Sequence, residues 1–271
     1  MPHFRGSGLS VPRSAVYISL FFAYISGFGL ILSLTACGSA TAIPAQTPVL
    51  ATTAVVPTAG KVTPGVTTAS PPLPPAEIFN RAGGVFEGLQ SYYLALDIRQ
   101  GKLQVKGLDV KQAEGSLQAP DRYDVRVKVG FLVVEFTVPV IGLNGQQYMK
   151  DDSRKWAVSG PDEKLNLPGL FDRQAGVGPT LAKVHDPRYL GIETLAGGAM
   201  LHLQGSLDGP DIAQLTLQKL GSREVTVEAW IDPATYRLTQ LALKETGPDG
   251  AYWVYTFSKF NEPVNIQKPD N

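Results

Sequence analysis

From Tyr92 onward apolar residues recur at every second position, and that period decides what the chain can become. Tyr123, Val125, Val127 and Val129 alternate with Arg122, Asp124, Arg126 and Lys128. Successive side chains of a strand point to opposite faces, so this run predicts a strand with one apolar and one charged face. Tyr92, Leu94, Leu96 and Ile98 form a second stripe, alternating with Tyr93, Ala95, Asp97 and Arg99. Further strands are expected over residues 111–117, 132–138, 147–150, 156–158, 189–195, 200–205, 224–231, 237–245 and 252–260. Asn144-Gly145, Gly197-Gly198, Asp232-Pro233 and Pro248-Asp249-Gly250 supply turns between neighbours. About ten strands at hairpin-like spacing predict a mostly antiparallel meander.

Helical periodicity is scarce. Ile78, Phe79, Ala82, Val85, Phe86 and Leu89 repeat at steps of three and four, predicting a helix over 76–89 with one apolar face. Gly83 and Gly84 weaken it, so packing on a sheet must supply much of its stability. Residues 165–184 read as helix in pieces, broken by Pro168, Gly176, Gly178 and Pro179. Asp211 is placed to cap a short helix running through Leu220. The expected class is therefore α+β, a mostly antiparallel sheet with a few helices on one side.

The first 75 residues carry no such pattern. Arg5 and Arg13 precede an almost wholly apolar run from Ala15 to Leu34, which ends in Leu34-Thr35-Ala36-Cys37. The sequence reads as a lipoprotein signal, residues 1–37, with Cys37 as the diacylated residue. Cys37 is the one cysteine in the chain, which excludes an internal disulfide and a cysteine-built zinc site. An uncleaved anchor would give the same topology, with basic residues inside and the body exported. Two acyl chains make a stable anchor where one does not. Residues 38–75 are rich in Pro, Thr and Ala, hold Lys61 as their one charge and contain no aromatic residue. That composition predicts a disordered tether, and residues 76–271 are left as the folded domain.

Charge and chemistry narrow the function. Lysine plus arginine number 24, equal to the acidic residues; without Arg5 and Arg13 the basic count falls to 22. A near-neutral body does not attract a polyanion, so nucleic acid is not an expected partner. His185 and His202 are the histidines outside the signal, and both are expected on exposed surface. No spacing of ligands suggests a metal, and no Gly-x-Ser-x-Gly or Ser-x-x-Lys motif suggests a nucleophile. Asp151-Asp152 is a carboxylate pair beside Arg154 and Lys155, which a solvated turn explains. Trp156, Trp230 and Trp253 are expected to anchor the core. The chain is accordingly not expected to be an enzyme or to need a cofactor.

Three segments carry a family resemblance. They are Gly145-Gln146-Gln147-Tyr148-Met149-Lys150-Asp151 with Trp156, then Val227-Glu228-Ala229-Trp230-Ile231-Asp232-Pro233 with Leu238 and Leu241, and finally Tyr255 to Ile266. In this order behind a lipobox, they resemble the LppX/LprG-type lipoproteins of the bacterial envelope, similar in fold to the periplasmic lipoprotein carriers. The resemblance implies a curled, unclosed half-barrel with helices covering a concave apolar side. It further implies a lipid or glycolipid held there by its acyl chains and carried across the envelope, with a membrane transporter as a conceivable partner. The protein would then sit on the outer face of the cytoplasmic membrane through Cys37. Leu94, Leu96, Ile98, Val125, Val127, Val129, Val225 and Val227 are the candidate lining residues. They belong to the same alternating set as ordinary core, so the sequence leaves both roles open. A non-catalytic interaction or sensor domain on the same half-barrel is the alternative.

Overall fold

The computed structural model describes residues 73–270, apart from 106–107, 132–133, 152, 218 and 221–222. Cys37, the signal and the predicted tether lie outside the described residues, apart from the tether's last three positions. Among the described residues, twelve strands form one antiparallel sheet: β1 (Ser91–Gln100), β2 (Leu103–Val105), β3 (Leu108–Gln118), β4 (Arg122–Phe131), β5 (Val134–Leu143), β6 (Gln146–Lys150), β7 (Trp156–Val158), β8 (His185–Leu195), β9 (Gly198–Leu207), β10 (Val225–Ile231), β11 (Leu238–Glu245) and β12 (Tyr252–Ser258). Their order is β7-β6-β5-β4-β3-β1-β12-β11-β10-β9-β8, with β2 paired to β3. The sheet does not close, since no pairing joins β7 to β8 among the described residues. The unclosed, mostly antiparallel sheet with few helices agrees with the expected α+β class.

The expected turns form. Asn144 and Gly145 both take positive φ, 54° and 72°, and join β5 to β6. That left-handed pair matches the right-handed twist of the flanking strands. Asp232 closes the β10–β11 turn by accepting bonds from the Ala234 and Thr235 amides at 2.9 and 2.8 Å.

Three expectations need correction. Strand β5 does not stop at Val138 but continues through Pro139 to Leu143. Pairing with β6 begins only at Val140, so Pro139 stands where one side of β5 is an open edge and a missing N–H is tolerated. Asp211 does not cap a helix. Pro210 starts α3 (Gly209–Ile212) earlier, with Asp208 at its N-cap, and the Asp211 carboxylate pairs with Lys183 at 2.9 Å. This helix ends at Ile212 and does not reach Leu220, although Ile212, Leu215 and Leu220 are all buried as their spacing suggested. His202 is not exposed: its imidazole stacks on Trp230 with ring centres 4.3 Å apart and is 17% accessible.

Helices lie over one face of the sheet. Helix α1 (Pro75–Glu87) buries Ile78, Phe79, Ala82, Gly83 and Phe86, and packs on the five-residue α2 (Val177–Leu181). Phe86 meets Tyr92 and Phe257 at ring distances of 5.2 and 5.1 Å, and Tyr92 meets Phe171 at 4.9 Å. Phe171 ends a 3₁₀ turn over Leu167–Phe171. The Tyr255 hydroxyl, deep in the core, donates to the Leu215 carbonyl at 2.7 Å. Together α1, α2 and these loops cover the β1, β12 and β8–β11 part of the apolar face. No described helix is long and apolar enough to cross a membrane.

Candidate functional site

Register places the alternating stripes in continuous rows across the covered face. Val138, Val127, Ala113, Leu96, Tyr255 and Leu241 are successive partners from β5 to β11. The next row runs Met149, Val140, Val125, Gly115, Leu94 and Phe257. Each row is one side-chain layer, because partners in register point to the same face.

The two ends of the rows differ. Toward β8–β11, Val225 and Val227 are completely buried in the main core, and Leu94, Ile98 and Val125 are buried in the same cluster with Leu96 against it. Toward β2–β6 the helical cover ends, and an apolar cleft of about 40 Å³ remains. Val105, Leu108, Val127, Val129, Val138, Val140, Met149 and Leu165 line it. Of the eight candidate lining residues, the structure thus brings Val127 and Val129 to the cleft. Val138 ended the strand expected over 132–138 and Val140 lay beyond it, and neither was among the candidate lining residues. Leu165 opens the segment expected to be helical in pieces, and nothing local tied that segment to the strand stripes.

A buried polar network holds Leu165 in place. The Gln147 side chain is almost fully buried on β6. Its carbonyl oxygen accepts from the Leu165 amide at 2.8 Å and the Tyr123 hydroxyl at 2.9 Å. Its amide nitrogen donates to Ser159 Oγ at 3.0 Å and the Glu163 carbonyl at 2.9 Å. Burial pushes the Tyr123 phenol up to about 12, so it remains a donor throughout the neutral range. The Tyr123 ring lies against Gly142, where a Cβ would strike it. One glutamine thereby ties the 159–165 segment across the end of the sheet. Each of its polar atoms is satisfied, as a buried amide requires.

The opposite face is largely polar, apart from a small apolar cluster of Met200, Trp230, Ala242 and Val254. Residues 259–266 cross it, held by Ser91 Oγ to the Glu262 carbonyl at 2.8 Å and by the Gln90 amide to Asn261 Oδ1 at 2.8 Å. Between this segment and β1, β3 and β4 lies a groove of about 360 Å³, lined by Tyr93, Glu114, Asp124, Arg126 and Lys259 among others. Farther along the same sheet Glu193 takes a bond from Trp230 Nε1 at 2.7 Å, and His202 lies between two carboxylates, its Nδ1 3.2 Å from Glu193 and its Nε2 3.5 Å from Glu228. The hydrogen bond from His202 holds the Glu228 carboxyl below its usual range. Asp151 is engaged by the Ser153 hydroxyl and the Ser153 and Lys155 amides, which fits a solvated turn; Asp152 lies outside the described residues. Trp253 and Trp230 are buried, and Trp156 is half-buried on the edge strand. The fold gathers His185, Asp208 and Asp211, distant in any ligand motif, with ligand atoms within 4.8 Å of one another. All three side chains face solvent to some degree, and Lys183 already occupies Asp211.

An unclosed antiparallel sheet, apolar on one side and covered there by short helices, defines a protein of the half-barrel class. Residues 74–266 match the sequence profile of the LppX_LprAFG lipoprotein family, and the chain belongs to that family. Membership places it among the lipoproteins of the cell envelope. LprF of Mycobacterium bovis, which carries the name of a diacylated glycolipid transporter, is 27% identical over 225 residues, covering 75% of this chain and 83% of LprF. The crystal structure of Mycobacterium bovis LprF superposes with a TM-score of 0.58 at 19% identity, over 75% of this chain and all of that one. That of Mycobacterium tuberculosis LppX gives 0.54 at 18% identity, over 71% and 97%. These likenesses establish the shared fold.

Proposed function

We propose that this protein is a lipid carrier of the cell envelope. In this reading Cys37 is diacylated and holds the chain on the outer face of the cytoplasmic membrane, with residues 38–75 as the tether. The concave face takes the acyl chains of a lipid or glycolipid, with no metal or organic cofactor, and hands them across the envelope. The observation that carries the reading is the apolar cleft at the open end of the half-barrel, where rows of core side chains continue beyond their helical cover. Family membership and the name borne by LprF support it. Val127 and Val129 would meet the chains first. Leu96 and the buried stripes behind it would meet them once the cleft widens.

The cleft is closed in this structure. Its volume of about 40 Å³ is far below the roughly 300 Å³ floor of small-ligand pockets. That closure favours the second reading, an interaction or sensor domain that never opens. Solvent extraction of the full chain purified from its native cells, followed by mass spectrometry, separates the two. Acyl lipids released without breaking covalent bonds, and reduced in Val127→Asp while that variant still melts cooperatively as a folded domain, are the expected result. A folded protein that yields no such lipid and takes up no fluorescent acyl probe would overturn the carrier reading.

A further inference from the structure

Strand β5 carries an apolar stripe on its concave side: Val140, Val138, Phe136 and Val134, paired respectively with Val125, Val127, Val129 and Phe131 on β4. Accessibility climbs along it. Val140 is buried, Val138 half-buried, Phe136 38% exposed and Val134 54% exposed. The first two line the cleft and the last two stand in solvent, so a single apolar ramp leads from the cleft to Val134 at the start of β5. Two of the four exposed large apolar residues of the described structure are on it. Such exposure costs solubility and marks a contact surface. The charges beside the ramp cancel: Lys128 pairs with Glu135 at 2.6 Å, and Lys111 lies 3.9 Å from Asp109.

We infer that the exposed start of β5 is the surface by which this domain docks on a phospholipid bilayer, and that Phe136 and Val134 bridge the bilayer's acyl region to the cleft. The inference rests on the carrier reading above and names its loading site. Three features select a bilayer over a protein partner. The ramp is continuous with the cleft, which a lipid needs and a protein does not. Neutralised flanks offer no charge pattern for a partner to read and allow entry into an interface without stripping free charges of water. The chain's own apolar run and Cys37 keep a membrane within reach. Insertion driven by apolar area alone should depend little on anionic lipid, unlike docking by a basic patch.

The test uses the full acylated chain reconstituted in phosphatidylcholine vesicles. Val134→Cys and Phe136→Cys carry an environment-sensitive fluorophore, and Val158→Cys serves as the exposed control on β7. The unsubstituted chain, labelled in parallel, corrects for Cys37. Probes at 134 and 136 should shift to the blue and be quenched by spin-labelled lipid, whereas the probe at 158 should not. Adding phosphatidylglycerol should change the shift little. The paired Val134→Asp, Phe136→Asp variant should slow uptake of a fluorescent diacyl lipid from vesicles about tenfold or more, roughly 1.4 kcal/mol of barrier. Its loading from detergent should be unchanged. Unshifted probes, or equal uptake by the variant, would overturn the docking inference while leaving lipid binding intact. A blue shift that appears without vesicles as protein concentration rises would instead assign the ramp to a second copy of the chain. If the unsubstituted chain takes up no lipid by either route, the carrier reading itself fails, and the probe result then judges docking separately.

Discussion

Adjacent glycines in α1 should respond to the same substitution with opposite sign. Gly83 and Gly84 follow one another in the helix, and both weaken it by their backbone freedom. Replacing either with alanine recovers about 0.5–1 kcal/mol of helix propensity. Their surroundings differ. A Cβ at Gly84 meets nothing within 4 Å, whereas one at Gly83 would lie 2.6 Å from the Gly178 carbonyl oxygen of α2. That oxygen is backbone and cannot swing aside. The approach is mutual, since a Cβ on Gly178 would lie 2.8 Å from the Gly83 carbonyl oxygen. Relieving the contact means pushing α1 off α2, an overpacking cost of about 1–3 kcal/mol. Gly84→Ala should therefore gain its full propensity term, raising Tm by roughly 1–4 °C for a domain of this size. Gly83→Ala should lose on balance and melt lower than the parent. Thermal or urea unfolding followed by circular dichroism reads both. Equal stabilisation by the two substitutions would refute the close helix contact and with it the rigid cover over this part of the concave face.

Three other outcomes are expected. Cys37→Ala should abolish the diacyl mass found on the mature chain, which intact-mass spectrometry of the detergent fraction measures; membrane association alone does not decide it. Gln147→Leu should cost about 1–3 kcal/mol by stranding the Leu165 amide and its other partners, with faster hydrogen exchange confined to residues 159–165. Glu228 has its folded pKa lowered by the His202 hydrogen bond. Its stabilisation is therefore present above the unfolded value of about 4.3 and is lost as pH falls through the folded one. Melting curves between about pH 6 and pH 3 should fall less steeply in Glu228→Gln than in the parent.

Period-two patterning made most of the sheet legible, because a strand with one buried face writes its register into alternate residues. Tyr123–Val129 shows this: the four apolar residues are buried and the intervening charges lie opposite. Turns were legible where a residue pair dictates backbone geometry, as at Asn144-Gly145. Tertiary placement was not. The strand expected over 132–138 stopped short of Pro139 because sequence does not reveal that β5 runs on to pair with β6 from Val140. His202 occupied a polar position in the alternation and was expected outside, yet Trp230 on the neighbouring strand shelters it. The role of Gln147 had no local signal, since its partners Tyr123, Ser159, Glu163 and Leu165 lie 12 to 24 positions away. The lining of the cleft was only partly legible for the same reason: alternation tells which face a residue joins, but helix cover decides which part of that face stays open.

The closed cleft and the exposed ramp make sense together. A lipid in a bilayer already has its chains out of water, so the hydrophobic effect gives little net drive for moving them into a protein. It acts instead against any route through water. At about 0.8 kcal/mol per methylene, a chain of about sixteen carbons would meet roughly 12 kcal/mol on leaving the membrane unaided, some eight or nine powers of ten in rate. A carrier that waits in solution with an open cavity gains nothing against that barrier and exposes its core meanwhile. One that stays shut and opens only where Phe136 and Val134 touch the bilayer lets the chain pass from one apolar surroundings to another. The segment to be lifted is light: Leu165 is held by Gln147 through bonds worth about 0.5–1.5 kcal/mol each, and no helix longer than five residues crosses between β7 and β8. Loading should then be collisional. The rate of uptake should rise in proportion to acceptor or donor vesicle concentration and should not plateau at the rate of spontaneous lipid desorption. A rate independent of vesicle concentration would mean that the lipid travels through water, and the ramp would have no part in its transfer.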